Sequence, residues 1–347
     1  MIKNKIIPIF FASDKNYLPY LTVAIKSLIN FANSEKEYRI YVLTNDLTLE
    51  DIKEIKSFEK PNTTVEITNV GKKIESIQNK VALRDYYSVS IYFRLFIPSM
   101  FPQYDKAIYL DSDIVLNKDI AEMFNVDIKT NYLGAVLDET VYSNKDFTNY
   151  VCEALDVSEK QYFNSGVLIM NLTKFRKNNI EEAFYCWVNN YKFGAVAPDQ
   201  DYLNITCKNS VKYLEAGWNK MPMGNKLPNN KTYLIHYNMF MKPWKYSNLM
   251  YEEHFWNFAK QTSFYDQIKN IQLKYSNEDK DKDRVAYENL LKLAINIAKS
   301  ENNYKTVVLK KSGKQELSIE LKPIDTADTT NALATSLPSS IKTVNRE

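Results

Sequence analysis

The 347-residue sequence predicts an α/β protein built on a parallel sheet covered by helices. Three observations point there. Apolar runs of strand length alternate with segments whose apolar residues fall at helical spacing. With 45% apolar and 25% charged residues, the chain has an ordinary globular composition and the length for a large core. Several strand-like runs end in aspartates, and open α/β sheets bind ligands beyond the carboxyl ends of their strands.

Each element follows in order. KIIPIFFASD is a buried-strand pattern ending in polar turn residues, and YLPYLTVAIKSLINFAN continues at helical spacing. YRIYVLTND reads as a strand, LEDIKEIKSF as a helix and TTVEITNV as a strand. SVSIYFRLFIPSMF reads as an apolar helix that Pro98 ends. KAIYLDSDIVL and YLGAVLDE are further strands of the same core, so Asp14, Asp111, Asp113 and Asp138 collect on one rim. FNSGVLIMNL precedes a helical stretch over roughly 172–192, and APDQDYLNITC follows it. From about 265 the composition changes. YSNEDKDKDR is a charge run, VAYENLLKLAINIAK an amphipathic helix, and the Ser/Thr/Ala-rich end has little to bury. The expected organisation is a main domain over 1–264, a helical appendage over 265–311 and a flexible tail over 312–347.

Composition excludes several classes. A net charge of +3 is too small to mark a nucleic-acid binder. Cys152, Cys186 and Cys207 form no C-x-x-C pair, and their odd number suits a reducing compartment better than a disulfide framework. The lysines and short apolar run at the start resemble a signal peptide, but Pro8 and Asp14 interrupt it, so it reads as a first strand. No run approaches the ~18 apolar residues of a membrane span. A cytoplasmic protein is expected. The basic amphipathic stretch 286–311 reads as a solvated helix, with docking on the inner face of the membrane as the alternative.

The seven glycines form no G-x-G and no phosphate loop followed by lysine. A diphosphate ligand would need another counter-charge, and a carboxylate-held divalent cation is the physical alternative. His236 and His254 are the two histidines, and neither neighbours a serine or cysteine nucleophile, which argues against a hydrolase triad.

The pair Asp111 and Asp113 interrupts an apolar run: Tyr109 and Leu110 lead in, and Ile114, Val115 and Leu116 resume it. Chance supplies about one D-x-D in a chain of this size. Others occur at Asp199/Asp201 and at Asp279, Asp281 and Asp283, the last three in a solvated charge run. The pattern leaves a metal site and a structural turn both open. Other residues also have two readings. His236 is a ligand or a strand-end hydrogen bonder. Asp199 is a site residue or a helix N-cap, and Asn164 with Gly166 a site or a turn. Arg94 is a ligand contact or a salt-bridged core edge. Trp244 reads as core and His254 as a packed helix position.

Five segments in order resemble glycosyltransferase family 8, the glycogenin and bacterial lipopolysaccharide galactosyltransferase group, over about residues 5–260. They are FFASDKNYLPYLTVAIKSL, SIYFRLFIPSMFPQYDKAIYLDSDIVL, YFNSGVLIMNL, APDQDYLN and HYNMFMKPW. The resemblance implies a GT-A, Rossmann-like nucleotide-binding fold. It further implies transfer of a hexose from UDP-glucose or UDP-galactose with retention, usually with manganese, magnesium being the alternative ion. The acceptor would be a glycan, glycolipid or glycoprotein. By the same resemblance, Ala12, Asp14 and Tyr17 contact the uridine, with Tyr17 stacking on the base. Arg94 approaches the donor. Asp111 and Asp113 bind the metal beside Ser112, Asp111 also lying near the ribose, and His236 completes the metal site. Lys242 meets the diphosphate, while Asp138, Asn164, Asp199 and Gln200 surround the sugar. One departure stands out: family members often have glycine three residues after the histidine, and this chain has Met239.

The family's amide at Gln200 is a poor nucleophile, which favours same-face attack, with Gln200 orienting the sugar, over a double displacement. Two other classes remain to be weighed. A nucleotidyltransferase would show a Gly-rich basic loop after the first strand, and FASDKNYLPY has none. A non-catalytic scaffold would lack some of Asp111, Asp113 and His236.

Overall fold

The computed structural model describes residues 6–75, 89–191 and 193–310. Among the described residues nine strands are seen: β1 (Ile7–Ala12), β2 (Tyr38–Thr44), β3 (Thr63–Asn69), β4 (Lys106–Leu110), β5 (Ile114–Leu116), β6 (Leu133–Leu137), β7 (Phe163–Asn171), β8 (Val211–Tyr213) and β9 (Leu234–His236). Seven form the central sheet in the order β3-β2-β1-β4-β7-β6-β8. β1 and β2 lose almost all contact with water, which explains their unbroken apolar runs: helices cover both faces. One core lies on the face that takes helix Leu18–Phe31, the other beneath helix Lys145–Ala154.

The sheet departs from the parallel expectation. β1, β2, β3 and β4 run parallel, but β7 is antiparallel to β4 and to β6. Because β7 runs the other way, its first residues, Phe163 to Gly166, reach the rim where β1, β4 and β6 end. Asn164 and Gly166 are therefore strand residues and not a turn. β5 does not continue β4 in the central sheet either. It pairs antiparallel with β9 in a separate ladder. The chain thus changes partners between Leu110 and Ile114, at the aspartate pair.

Two helical expectations also change. Val89–Phe96 is a 3-10 stretch, and Pro98 sits in the first turn of helix Ile97–Met100, where its missing N–H costs no hydrogen bond. The expected helix over 172–192 breaks at Asn178 and at Asn179, which has φ 48°, giving Leu172–Lys177 and Ile180–Cys186 and then a π-helical turn, Trp187–Tyr191.

The segment after 264 is helical, as Tyr265–Lys274 and Asn277–Lys299. It does not stand apart. Leu290, Ala294 and Ile297 enter the core beneath helix Lys145–Ala154, and the described residues form one compact unit. The tail expected over 312–347 lies outside the described residues. Among the described residues no helix is long and apolar enough to cross a membrane. Trp244 is core as expected, stacked on Tyr20 with ring centroids 3.7 Å apart. His254 lies on helix Glu252–Ala259, with Nδ1 3.0 Å from Asn117 Oδ1.

Candidate active site

The partner change at the end of β4 builds the centre of the site. Asp111 N–H still donates to Gly166 O of β7 at 2.7 Å, while Tyr237 N–H, just past β9, donates to Asp113 O at 2.9 Å. The two aspartates therefore bridge two ladders, and both face His236. Its Nε2 lies 3.1 Å from Asp113 Oδ1 and 3.7 Å from Asp111 Oδ2. One ligand atom from each residue falls within 4.8 Å of the others. Gly166 flanks this cluster, and only glycine fits: a Cβ there would fall 2.4 Å from both Asp111 Oδ2 and His236 Cε1.

Cations balance the buried acids. The Lys242 ammonium donates to Asp113 Oδ2. Burial pushes Asp113 up, but Lys242 and His236 outweigh it and hold the carboxyl well below the usual range. Arg94 is 3% exposed and links three elements. It pairs with Asp111 at 2.9 Å and Asp199 at 3.3 Å, donates to Ser165 O and Ser165 Oγ, and lies over the Tyr109 ring. Both readings of Arg94 thus meet, since its salt bridge is part of the site. Asp199 is not the N-cap of helix Pro198–Thr206; Ala197 occupies that position. Asp199 accepts from Ser165 Oγ at 3.1 Å instead. Burial is the largest influence on it and raises its pKa to about 6, with Asp111 adding to the rise and Arg94 opposing it.

A hydrogen-bonded amide relay runs beside this cluster, and two backbone donors fix its direction. A backbone N–H can only donate. Gly166 N–H donates to Asn164 Oδ1 at 3.0 Å, so Asn164 Nδ2 is the end that donates to Asp138 Oδ2 (3.0 Å) and Gln200 Oε1 (3.2 Å). Ser165 N–H donates to Gln200 Oε1 at 2.9 Å, which aims Gln200 Nε2 at Asp138 Oδ2, 3.0 Å away. Asp138 also caps helix Glu139–Tyr142 through its other oxygen. On the far side, Asn219 Nδ2 donates to Asn164 Oδ1 at 2.9 Å. Asn219 Oδ1 is left to accept from His236 Nδ1–H at 3.0 Å, which leaves Nε2 as the nitrogen that faces the two aspartates. That arrangement, the mixed oxygen and nitrogen donors and the space kept by Gly166 fit a divalent ion such as manganese.

The remaining expected residues lie on the same rim. Ser112 Oγ donates to Ala12 O at 2.9 Å, joining the ends of β1 and β4. Asp14 accepts from Tyr17 N–H at 3.1 Å, and the Tyr17 ring stands 37% exposed at the mouth. A single cavity is lined by every residue expected to contact nucleotide or sugar, with Asp111 and Asp113 among them. His236 lies behind the two acids. Met239 takes φ 60°, so the left-handed backbone that would favour glycine is kept here with a side chain on it.

Asn219 escaped sequence reasoning. It precedes His236 by 17 residues and meets it only because Lys220 pairs with β9, through Lys220 N–H to Leu234 O and His236 N–H to Lys220 O. No periodicity or spacing announces that bridge.

The mixed sheet with an acidic switch point at the end of a central parallel strand is the arrangement of the GT-A glycosyltransferases on which the chain superposes. The sequence pattern of Glycosyl transferase family 8 matches residues 8–248, and the chain belongs to that family. It is a hexosyltransferase by class. A putative glycosyltransferase of Haemophilus influenzae is 31% identical over 65% of this chain and 67% of its own length. A lipopolysaccharide 1,2-glucosyltransferase of Escherichia coli is 25% identical, over 67% and 71% respectively. Plant relatives are longer, and the chain spans 36% of their length. Among solved structures, the galactosyltransferase LgtC in complex with donor and acceptor sugar analogs superposes with TM-score 0.63 and 26% identity, over 74% of this chain and 96% of that one.

Proposed function

We propose that this enzyme transfers glucose or galactose from the UDP-hexose to a glycan acceptor, with retention at the anomeric carbon and dependence on manganese. The convergence of Asp111, Asp113 and His236 beside Lys242 and a buried amide cluster carries this reading. Tyr17 offers a ring face to uracil at the mouth of the cavity, with Ala12 and Asp14 beside it. Asp111 and Lys242 face the ribose and diphosphate, and Arg94 holds Asp111 in place. Asp138, Asn164 and Gln200 form a polar floor for the hexose. When bound by Asp111, Asp113 and His236, manganese supplies positive charge that stabilises the departing diphosphate.

The bond from the anomeric carbon to the β-phosphate oxygen breaks, and that oxygen takes the proton of the acceptor hydroxyl. The acceptor oxygen bonds to the same face of the sugar, so configuration is kept and UDP leaves. Gln200 is tied at both ends of its amide and is a weak nucleophile, so it suits orienting the sugar and stabilising the cationic centre. Asp199 is engaged by Arg94 and Ser165 and suits the same supporting role.

The name of the Escherichia coli relative, a lipopolysaccharide 1,2-glucosyltransferase, favours an acceptor in surface-polysaccharide assembly, as a saccharide, lipid-linked glycan or glycoprotein. No disulfide joins the three cysteines, which suits a cytoplasmic site of action. Peripheral contact with the inner face of the membrane is compatible with that location.

Release of UDP from UDP-glucose and UDP-galactose, with and without manganese, tests the reading. Turnover should require the metal and should vanish in Asp111→Asn. Metal-independent turnover that survives the substitution would refute it. Intact-mass detection of a glycosyl adduct on Gln200 or Asp199 would instead select a double displacement.

A further inference from the structure

The turn that bears Lys242 is gripped from outside the family-matched region. Lys242 O accepts from the N–H groups of Lys245 and Tyr246, both at 2.9 Å, so the position of the Lys242 backbone follows that of these two residues. Their side chains converge on one acid of the long helix. Asp283 accepts from Lys245 Nζ at 3.2 and 3.3 Å, from Tyr246 OH at 3.1 Å and from Tyr275 OH at 2.7 Å. Lys245 Nζ also lies 5.2 Å from the centroid of the Tyr275 ring. From helix Tyr265–Lys274, Gln272 Nε2 donates to Pro243 O at 2.8 Å and Tyr246 O at 3.0 Å. Further along the long helix, Tyr287 meets the Phe240 ring edge-on at 6.3 Å.

From this network we infer that Asp283 is a positioning residue for the diphosphate-binding turn: it holds Lys245 and Tyr246 so that the Lys242 ammonium reaches the acid pair. Asp283 touches neither nucleotide nor metal. Its contribution is electrostatic and local, because its carboxylate is 12% exposed while the Lys245 side chain is 29% exposed. Helices Tyr265–Lys274 and Asn277–Lys299 thereby act on the donor site although both lie beyond residue 248, where the family match ends. The inference rests on the proposed UDP-sugar reading for its ligand but not for its mechanical part.

Two measurements on the full chain separate those parts. Hydrogen exchange of the segment around Lys242–Tyr246 in ligand-free protein should quicken in Asp283→Ala and, less so, in Asp283→Asn, which keeps one acceptor. Asp281→Asn on the opposite helix face should leave it unchanged. Titration with UDP and with uridine, both in manganese, should show UDP binding about tenfold weaker in Asp283→Ala, with uridine unchanged, since only the diphosphate uses Lys242. A destabilised fold would weaken both ligands alike, so equal loss of UDP and uridine would overturn the proposal. So would exchange that is the same in wild type and both Asp283 variants. If wild-type protein bound no UDP, the functional reading would fall, and the exchange result alone would decide the positioning role.

Discussion

Asp111 and Asp113 leave the central sheet with both carboxylates turned toward His236, whereas Asp281 and Asp283, at the same spacing, diverge around a helix. The difference lies in the backbone. Asp111 and Asp113 lie on the bend between β4 and β5, where the chain passes from one ladder to the other, and that passage brings both charges to one side. Two residues apart on an α-helix are separated by about 200°, so one acid faces out and the other in. Asp281 is 70% exposed and pairs with Arg284 on the surface. Asp283 turns inward to Lys245, Tyr246 and Tyr275, so the run read as wholly solvated is solvated on one face. A third pair, Asp199 and Asp201, diverges in the same way on helix Pro198–Thr206. Asp199 reaches Arg94, while the fully buried Asp201 accepts from Tyr150 OH, Tyr162 OH and the N–H groups of Val196 and Ala197. One spacing thus produces a convergent acid pair, a structural buttress and a surface pair.

The comparison breaks most visibly at Asp113. Asp113→Asn should lower UDP-hexose turnover by about a thousandfold or more, since a metal's charge stabilisation is worth several kcal/mol and each 1.36 kcal/mol is tenfold. Turnover that is unchanged in manganese-dependent assays would show that the convergent pair is only structural. Asp201→Ala comes next. It removes the acceptor shared by Tyr150 OH, Tyr162 OH and the N–H groups of Val196 and Ala197 and should cost about 3 kcal/mol in urea denaturation, whereas Asp281→Asn should stay within about 0.5 kcal/mol.

A smaller effect is expected at the relay. Asn219→Ser removes the acceptor that fixes His236 and should weaken manganese binding about tenfold, measured by electron paramagnetic resonance of the free ion. Unchanged affinity would show that His236 needs no orienting partner. The smallest expected effect is a pH dependence. Asp199 has a folded-state pKa of about 6, above the ordinary carboxylate value. Its contribution to stability is therefore full below about pH 4 and is lost as pH rises through about 6. Turnover should move the other way and fall as the pH drops through about 6, because the neutral acid no longer balances Arg94. Asp199→Asn should flatten both profiles.

Much of this was legible in the chain. The apolar runs of β1, β2 and β4 mark strands because both faces of the sheet are covered, and the aspartates that close them mark the rim. The ordered segments around Asp111, Asn164, Asp199 and His236 identify the family. The antiparallel sense of β7 was not legible, since buried strands of either direction have the same apolar pattern. Nor was the break between β4 and β5, because KAIYLDSDIVL is apolar on both sides of the acids whichever ladder each half joins.

The sequence by itself determined which residue types stand at strand ends and how the apolar periods alternate, because those depend on the local repeat of the backbone. Only the tertiary structure decided that Asn219 orients His236, that Asp283 grips the Lys242 turn and that Asp201 is a buttress. These depend on side chains from segments distant along the chain meeting at hydrogen-bond distance, and no local period encodes such a meeting.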